Sequence, residues 1–236
     1  MKRKNVNWKK VLNYFVMLTL IISIIFIIIA MIVAPSVTDP NRPYERIKSD
    51  YVLMLLQCII GVFAMLLPGL LKRKINLEIP SNMIILYTLF LYGAIYLGEV
   101  RSFYYNVPHW DTILHTFSGA MLGALGFSFV NFLNNAENIQ IHLSPIFVAV
   151  FAFCFAITLG VAWEVYEFAA DGILNTNMQK FALENGVGFI GRAAVMDTMK
   201  DLIVDAVGAF VMSVIGYISI KYKKGWVEKL LLVIEK

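Results

Sequence analysis

Charged residues are scarce in this chain. Only 15% of its 236 residues are Asp, Glu, Lys or Arg, against about 25% in a typical soluble domain. Hydrophobic residues make up 59%, and the mean hydropathy is +0.73. This composition excludes an ordinary soluble domain and predicts an integral membrane protein. The basic residues flank apolar segments and form no patch with aromatics, so the net charge of +4 does not indicate a nucleic-acid partner.

Cysteine and histidine are also rare, with two and three copies. Cys58 and Cys154 both fall inside apolar stretches, where a buried thiol behaves as a small hydrophobe. The chain therefore has no disulfide framework. It also has no recognisable nucleophile motif, which argues against a covalent catalytic mechanism.

Long apolar stretches dominate what is present. A transmembrane helix needs about 20 mostly apolar residues, and six stretches qualify: 11–34, 51–71, 82–99, 112–133, 146–169 and 200–220. The predicted fold is an all-α bundle of six transmembrane helices, forming one membrane domain over 11–220. A basic tail, 1–10, precedes it, and a basic, amphipathic tail, 221–236, follows it.

The distribution of Lys and Arg predicts the orientation. Basic residues cluster in three places, at 1–10, 72–74 and 221–224. In a bundle with an even number of spans these three regions lie on one side, and the positive-inside rule makes that side cytoplasmic. The connection 134–145 has no Lys or Arg and does not bear on the question. The long connection 170–199 then lies outside, either as an interfacial lid or as a surface loop.

Nine ionisable residues stand at the mouths of the last three spans. They are His109, Asp111, His115, Glu164, Glu167, Asp171, Asp197, Asp201 and Asp205. Their spacings of three and four place each group on one helix face. The predicted topology brings all three groups to the extracytoplasmic side. Because a charge in the bilayer costs about 2.5–3.5 kcal/mol on insertion scales, such a set marks a functional site in a polar cavity.

So many carboxylates require a compensating charge, a shared proton or a metal. Carboxylates and imidazoles that project inward from several helices are how helical bundles hold metal ions. The predicted ligands of a divalent ion are Glu164, Glu167, Asp201 and Asp205, with Zn, Mn, Fe or Mg as candidates. His115 and Asp111 are the candidate general acid and base, and Arg192 is a candidate phosphate-binding group.

Four motifs resemble the YjdF-like family of bacterial inner-membrane proteins, whose function is not established. The motifs run from His109 to Gly119, from Trp163 to Asp171, from Asn175 to Gln179 and from Asp197 to Gly208, within a motif-bearing part of about 80–220. The resemblance implies a bacterial inner-membrane location. It adds Asn177 and Gln179 to Asp171 as candidate substrate-binding residues.

The pattern is also distantly similar to VanZ-like membrane proteins, which are linked to teicoplanin resistance. Asp111, His115, Glu164, Arg192 and Asp201 match that pattern. Thr112, Glu167 and Asp205 depart from it, in place of a lysine, a glutamine and an asparagine. These changes make the site more acidic, and the resistance phenotype is not transferred.

Three functions fit these residues. The first is a metal-assisted enzyme acting on a lipid or lipid-linked envelope substrate at the outer leaflet. The second is a non-catalytic protein that binds a lipid or an antibiotic. The third is a cation or proton transporter, which intramembrane carboxylates suit. The predicted cytoplasmic half offers no matching polar path, so transport ranks last. The oligomeric state is not predicted.

Overall fold

The computed structural model describes residues 7–37, 39, 41, 45–134, 143–183, 186–230 and 233–234. Seven α-helices make up most of it: α1 (Trp8–Val33), α2 (Lys48–Ile75), α3 (Ser81–Leu91), α4 (Phe103–Asn106), α5 (Trp110–Asn134), α6 (Pro145–Leu174) and α7 (Met196–Lys221). Two-residue strands, β1 (Leu77–Glu78) and β2 (Val233–Ile234), pair antiparallel. Short 3₁₀ turns cover Gly191–Val195 and Glu228–Leu230.

Six helical segments are long and apolar enough to span a membrane, which confirms the predicted six-helix architecture. Their apolar side chains face outward to an unusual degree; Ile32 and Val33 of α1, for example, are 74% and 83% exposed. That exposure is expected when lipid tails, rather than other protein segments, cover the outer surface. Most helices extend beyond the predicted stretches, most of all α2, which begins three residues before and ends four residues after its stretch.

The third span departs from regular α-helix. After Leu91 the chain continues as a π-helical segment, Tyr92–Val100. Gly93 and Gly98 lie buried within it, and Tyr104 packs so closely on Gly98 that an added Cβ would lie 2.4 Å from its ring. π-Helical turns occur frequently at functional sites, and this one ends beside the polar cluster described below.

The chain segments that carry basic residues converge at one end of the bundle. Lys9 at the start of α1 donates to the Ser81 hydroxyl at the start of α3, at 3.1 Å. The pairing of β1 with β2 brings the C-terminal segment to the connection between α2 and α3. This convergence is the arrangement that an even number of spans requires. The cytoplasmic assignment of that end stays a prediction. Residues 1–6 of the basic tail and 135–142 of the fourth-to-fifth connection lie outside the described residues.

Two packing units form the interior. In the first, α1, α2 and α3 enclose large apolar side chains, including Leu20, Ile27 and Leu91. In the second, α5, α6 and α7 pack through small residues. A Cβ added to Gly119 would lie 2.3 Å from the Asp205 carbonyl oxygen, and one added to Gly208 would lie 2.1 Å from that of Thr116. These glycines therefore allow a close contact between α5 and α7.

Candidate functional site

Three helix ends meet opposite the basic end of the bundle. They are the start of α5 at Trp110, the end of α6 at Leu174 and the start of α7 at Met196. The four-residue spacing of Asp111 and His115 puts both on one face of α5, and that of Asp201 and Asp205 does the same on α7. Because α5 and α7 touch at glycines, these two faces come together.

His115 lies at the centre of this cluster. Its Nδ1 atom is 3.4 Å from Asp205 Oδ2. Its Nε2 atom is 3.7 Å from Asp111 Oδ1 and 3.8 Å from Asp201 Oδ2. The Ser118 hydroxyl donates to the other oxygen of Asp205, at 2.9 Å. Asp205 therefore holds the Nδ1 side of the imidazole, and the other ring nitrogen, Nε2, points at the carboxylates of Asp111 and Asp201.

Asp111, His115 and Asp201 each offer a ligand atom, and these atoms lie within 4.8 Å of one another. Asp201 is 2% exposed, and its Oδ1 atom has no hydrogen-bond partner among the described residues. Leaving a buried acceptor unsatisfied costs about 1–3 kcal/mol, and more when it is charged. An unpartnered buried carboxylate oxygen beside an imidazole is a feature expected of a ligand-binding site.

Lys180 completes the cluster from the connection that follows α6. Its ammonium group donates to Asp111 Oδ2 and lies 3.5 Å from Asp197 Oδ2. It also lies over the ring of Tyr104, 4.8 Å from the centroid. Burial acts to lower the pKa of Lys180, but the carboxylates of Asp111 and Asp197 more than offset this and raise it above its usual value. Lys180 is therefore a permanent cation in the site.

Tyr104 contributes an uncharged side chain to the lining of the same site. Burial, reinforced by the carboxylates of Asp111 and Glu99, holds the pKa of its hydroxyl well above the usual value. The phenol thus stays protonated, and its ring supplies the face on which the Lys180 ammonium rests. Its closeness to Gly98 fixes the ring, because no side chain separates the two.

The two glutamates of α6 take different positions. Glu167 accepts a hydrogen bond from the Trp163 indole at 2.8 Å and lines the cavity described below. Glu164 is 5% exposed, and neither of its carboxylate oxygens has a hydrogen-bond partner of normal geometry among the described residues. The Thr198 hydroxyl lies close to this carboxylate. Neither glutamate belongs to the three-residue group of Asp111, His115 and Asp201.

Asp171 organises the connection that carries Lys180. Its carboxylate accepts hydrogen bonds from the Thr176 hydroxyl, the Met178 amide and the Gln179 amide, at 2.7, 2.7 and 3.0 Å. The Asn177 side chain exchanges two hydrogen bonds with the backbone of Ala182, and the Gln179 side chain donates to Thr198. Their predicted role in binding substrate stays a prediction, because here these side chains bind the loop itself.

Two sequence candidates lie away from the cluster. Arg192 is exposed on the 3₁₀ turn before α7, and it is not among the described residues that line the cavity. His109 is exposed at the turn before α5, with a left-handed backbone. The structure brings Asp111, His115, Asp201 and Asp205 together and leaves these two outside.

The cluster forms the polar end of an inner cavity of about 350 Å³. Its polar lining includes Glu99, Asp111, His115, Glu167, Lys180 and Asp201. The rest of its wall is mainly apolar and comes from α2, α3, α5 and α6, as at Ile60, Phe90, Met121 and Leu159. Gly160 leaves room for Asp205, since a Cβ there would lie 2.9 Å from its carboxylate. The cavity thus has the polarity of an amphiphile, with one charged end and one apolar length.

Sequence reasoning missed three contributors to this site. Lys180 lies in a connection without helical periodicity, and its contact with Asp111 spans 69 positions. Ser118 has no distinguishing sequence signal, although it lies three residues after His115 and thus on the same helix face. Tyr104 fits an interfacial aromatic belt equally well. Only the tertiary packing of α4 against the π-helical segment reveals its role.

Six spanning helices around a buried polar cluster define a polytopic membrane protein. The chain belongs to a family of predicted membrane proteins, DUF2238, whose model matches residues 14–222. It is 28% identical over 153 residues to an uncharacterised protein of Thermotoga maritima, a match that covers 64% of this chain and 69% of that protein. No solved structure matches.

Proposed function

We propose that this protein is a metal-assisted enzyme that acts on an amphiphilic membrane substrate, a lipid or a lipid-linked molecule. One observation carries the proposal: the ligand-bearing group of Asp111, His115 and Asp201 stands at the polar end of a cavity that is otherwise mainly apolar. An amphiphile bound there would present its polar linkage to these residues.

The three side chains have suitable spacing and chemistry for a divalent ion. Two ligand atoms that each lie about 2.1 Å from an ion are at most about 4.2 Å apart. The Nε2 atom of His115 lies within that limit of both carboxylates. One imidazole with two carboxylates suits Zn, Mn or Fe, with Mg as the harder alternative. The proposed set contains Asp201 from the predicted ligands and adds Asp111 and His115.

Asp205 supports this set from behind. Metal-binding histidines commonly donate their second ring N–H to a carboxylate, which fixes the tautomer and the ring orientation. Asp205 is placed to do this at Nδ1 of His115, and the Ser118 hydroxyl holds Asp205 in turn. We assign Asp205 a positioning role in place of the ligand role that the sequence favours.

Lys180 is the anion-binding group of the proposed site. Its ammonium lies on the cavity wall beside the metal-binding group, whereas Arg192 is exposed outside it. When bound, the metal would polarise a phosphoryl or ester oxygen or activate water. Lys180 would bind the adjoining anionic oxygen, and the buried Glu167 is within the same cavity as a candidate proton acceptor. The proposed location is a bacterial inner membrane, as the YjdF-like resemblance implies, and the distribution of Lys and Arg favours its outer leaflet.

Non-catalytic binding of a lipid is the competing function. The apolar length of the cavity supports it equally, and Lys180 supplies a charge that reduces the need for a metal. Transport is less favoured, because the described lining of the cavity is mainly apolar away from the cluster, and an ion would need polar groups along its path. Turnover separates the enzyme from the binding protein.

The decisive experiment measures metal content and turnover on the same protein. Wild type, Asp201→Asn and Glu164→Gln would be purified in mild detergent without chelator and assayed by elemental mass spectrometry. Each would then be incubated with a bacterial lipid extract and Mn, Zn or Mg, and the lipids followed by mass spectrometry. Glu164→Gln is the matched control, because it neutralises a buried carboxylate outside the proposed ligands.

We expect wild type and Glu164→Gln to bind one ion and to convert a lipid species that Asp201→Asn leaves unchanged. Equal metal content in the three proteins, after reloading with each of the three ions, would contradict the metal site. Metal binding without conversion of any lipid would favour the non-catalytic binding function over the enzyme.

Asp205→Asn tests the positioning role: it should weaken metal binding about 10–100-fold, whereas Ser118→Ala should weaken it less.

A further inference from the structure

A second cavity lies outside the first on the same end of the molecule. This outer vestibule has a volume of about 470 Å³ and is bordered by the start of α2, by the residues after α3 and by the connection after α6. Glu99 lines both the vestibule and the inner cavity. The two spaces therefore adjoin at this residue.

One face of α2 runs along both spaces in succession. Asp50, Leu53 and Met54 line the vestibule. Gln57, Ile60, Gly61 and Ala64 line the inner cavity. Steps of three and four residues keep these positions on one helix face, and Asp50 to Ala64 covers about 21 Å at 1.5 Å per residue.

The third span repeats this order. Ser102 borders the vestibule, Glu99 borders both spaces, and Ile95, Leu91 and Tyr87 border the inner cavity. The connection after α6 also borders both spaces: Asn175, Thr176 and Phe181 line the vestibule, and Met178 and Lys180 line the inner cavity. Three separate segments thus border both spaces, and the metal-binding group lies in the wall of the inner cavity.

The vestibule has the wrong charge for an anionic head group. Among the described residues, its charged lining consists of three carboxylates, Glu45, Asp50 and Glu99, and one guanidinium, Arg46. That guanidinium already donates to the Ser102 hydroxyl. A phosphate-bearing head group would meet more repulsion than attraction.

The uncharged part of the lining is rich in hydrogen-bonding and aromatic groups. Asn106 and Asn175 supply amides, Ser49 supplies a hydroxyl, and Tyr105 and Phe181 supply ring faces. Amides donate and accept, and carboxylates accept from hydroxyl groups. This combination matches a neutral head group with many hydroxyls and an apolar ring face.

We infer that the substrate has three parts: an apolar chain between α2 and α3, a reactive linkage at Asp111, His115 and Asp201, and a neutral, carbohydrate-like head group in the vestibule. The inference rests on the proposed function for its reactive linkage. The head-group site itself depends only on the vestibule. The substrate class is therefore a glycosylated lipid rather than a phospholipid whose head group is free phosphate.

The test compares three probes that share one chain. Protein in detergent-free phosphatidylcholine nanodiscs would be titrated, below the critical micelle concentration, with dodecyl maltoside, dodecyl phosphate or dodecyltrimethylammonium, and Tm followed. Ala64→Phe would fill the chain region, and Asn106→Trp would fill the vestibule. Asn82→Trp is the matched control, because Asn82 is exposed at the start of α3, at the other end of the molecule.

We expect half-maximal stabilisation of wild type by the maltoside at about a tenfold lower concentration than by either charged probe, equivalent to about 1.4 kcal/mol. This preference should persist in Asn82→Trp and disappear in Asn106→Trp and Ala64→Phe. Equal responses to the three probes, a preference for either charged probe, or an unchanged preference in Asn106→Trp would overturn the inference.

Metal content separates this outcome from that of the proposed function. All three variants retain the residues of the metal-binding group. Head-group selectivity without a bound metal would keep the vestibule site and reject the metal-assisted enzyme. A bound metal without head-group selectivity would keep the metal site and reject the head-group site in the vestibule.

Discussion

At the scale of single residues, Lys180 adds a positive charge to a cluster that is otherwise acidic. The side chains of Lys180 and Asp111 are only 24% and 14% exposed, so their ion pair is largely shielded from solvent. Such a cation reduces the repulsion between Asp111, Asp197 and Asp201 that otherwise argues for a metal. The site thus carries a resident charge, and the Asp201 Oδ1 atom, which has no hydrogen-bond partner among the described residues, remains available to a ligand.

Replacing Lys180 with Met should therefore destabilise the protein and change its response to metal. Breaking a buried ion pair by removing one partner costs about 3–5 kcal/mol, and partial exposure reduces this to about 2–3 kcal/mol. Added Mn should raise the Tm of Lys180→Met by more than that of wild type, because Asp111 Oδ2 becomes free to coordinate. Thermal unfolding with and without chelator measures both effects.

Lys223→Met, which removes an exposed lysine at the other end of the molecule, is the control for this substitution.

The raised pKa of Lys180 also predicts how the stability depends on pH. Its stabilisation is fully present below the unfolded value of about 10.4 and is lost only as the pH rises through the higher folded value. The contribution of Lys180 to the free energy of unfolding, measured as the difference between wild type and Lys180→Met, should therefore be the same at pH 7 and pH 9. A Lys180→Met protein as stable as wild type would show that the ion pair contributes nothing.

At the scale of elements, the connection after α6 is held by one carboxylate. Asp171 binds two backbone amides and the Thr176 hydroxyl, so its removal should release the residues around Lys180. Hydrogen bonds to charged groups contribute about 1.5–3 kcal/mol each. Asp171→Ala should therefore increase amide hydrogen exchange across 176–183, while Thr176→Val, which removes one of the three bonds, should keep most of the protection. Unchanged exchange in Asp171→Ala would favour the substrate-binding role predicted from the sequence.

The contact between α5 and α7 sets the geometry of the cluster. An added Cβ at Gly208 meets the backbone of Thr116 at 2.1 Å, and backbone cannot move aside cheaply. Gly208→Ala should lower the free energy of unfolding by about 1–3 kcal/mol through overpacking. It should also weaken metal binding, because His115 and Asp205 lie on the two separated helices. Unfolding in mixed micelles and elemental analysis provide the two measurements.

Gly172→Ala in α6 is the matched control, since no atom lies within 4 Å of its added Cβ. Alanine is favoured over glycine inside a helix by about 0.5–1 kcal/mol, so this variant should be as stable as wild type or more stable. Equal stabilities of the two variants would mean that α5 and α7 are not in close contact.

The sequence predicts elements better than it predicts contacts between them. The six spans follow from local hydropathy, which requires no knowledge of tertiary structure. The meeting of Asp111, His115, Asp201 and Asp205 follows from helical spacing and the even count of spans. Lys180 does not follow, because a loop has no period that fixes where its side chains point. The π-helical segment at Tyr92–Val100, on which Tyr104 packs at Gly98, likewise has no distinct sequence pattern.

At the scale of the whole molecule, the two ends of the bundle differ in charge. Basic flanks converge with β1 and β2 at one end, while the acidic cluster, Lys180 and both cavities lie at the other. A substrate that reaches the vestibule from water must therefore approach the acidic end. The side of the membrane on which that end lies decides whether the proposed substrate would be an envelope lipid or a cytoplasmic-leaflet lipid.

Orientation can be tested with an impermeant maleimide in intact cells. Arg192→Cys stands exposed at the acidic end, and Lys224→Cys stands exposed at the basic end. The positive-inside rule predicts that Arg192→Cys is labelled in intact cells and Lys224→Cys only after the inner membrane is permeabilised. Wild type is the background control, because Cys58 is buried and Cys154 lies within the α6 span, where the charged reagent does not reach it. The reverse pattern would place the cavities on the cytoplasmic side, and it would exclude an outer-leaflet substrate while leaving the site chemistry intact.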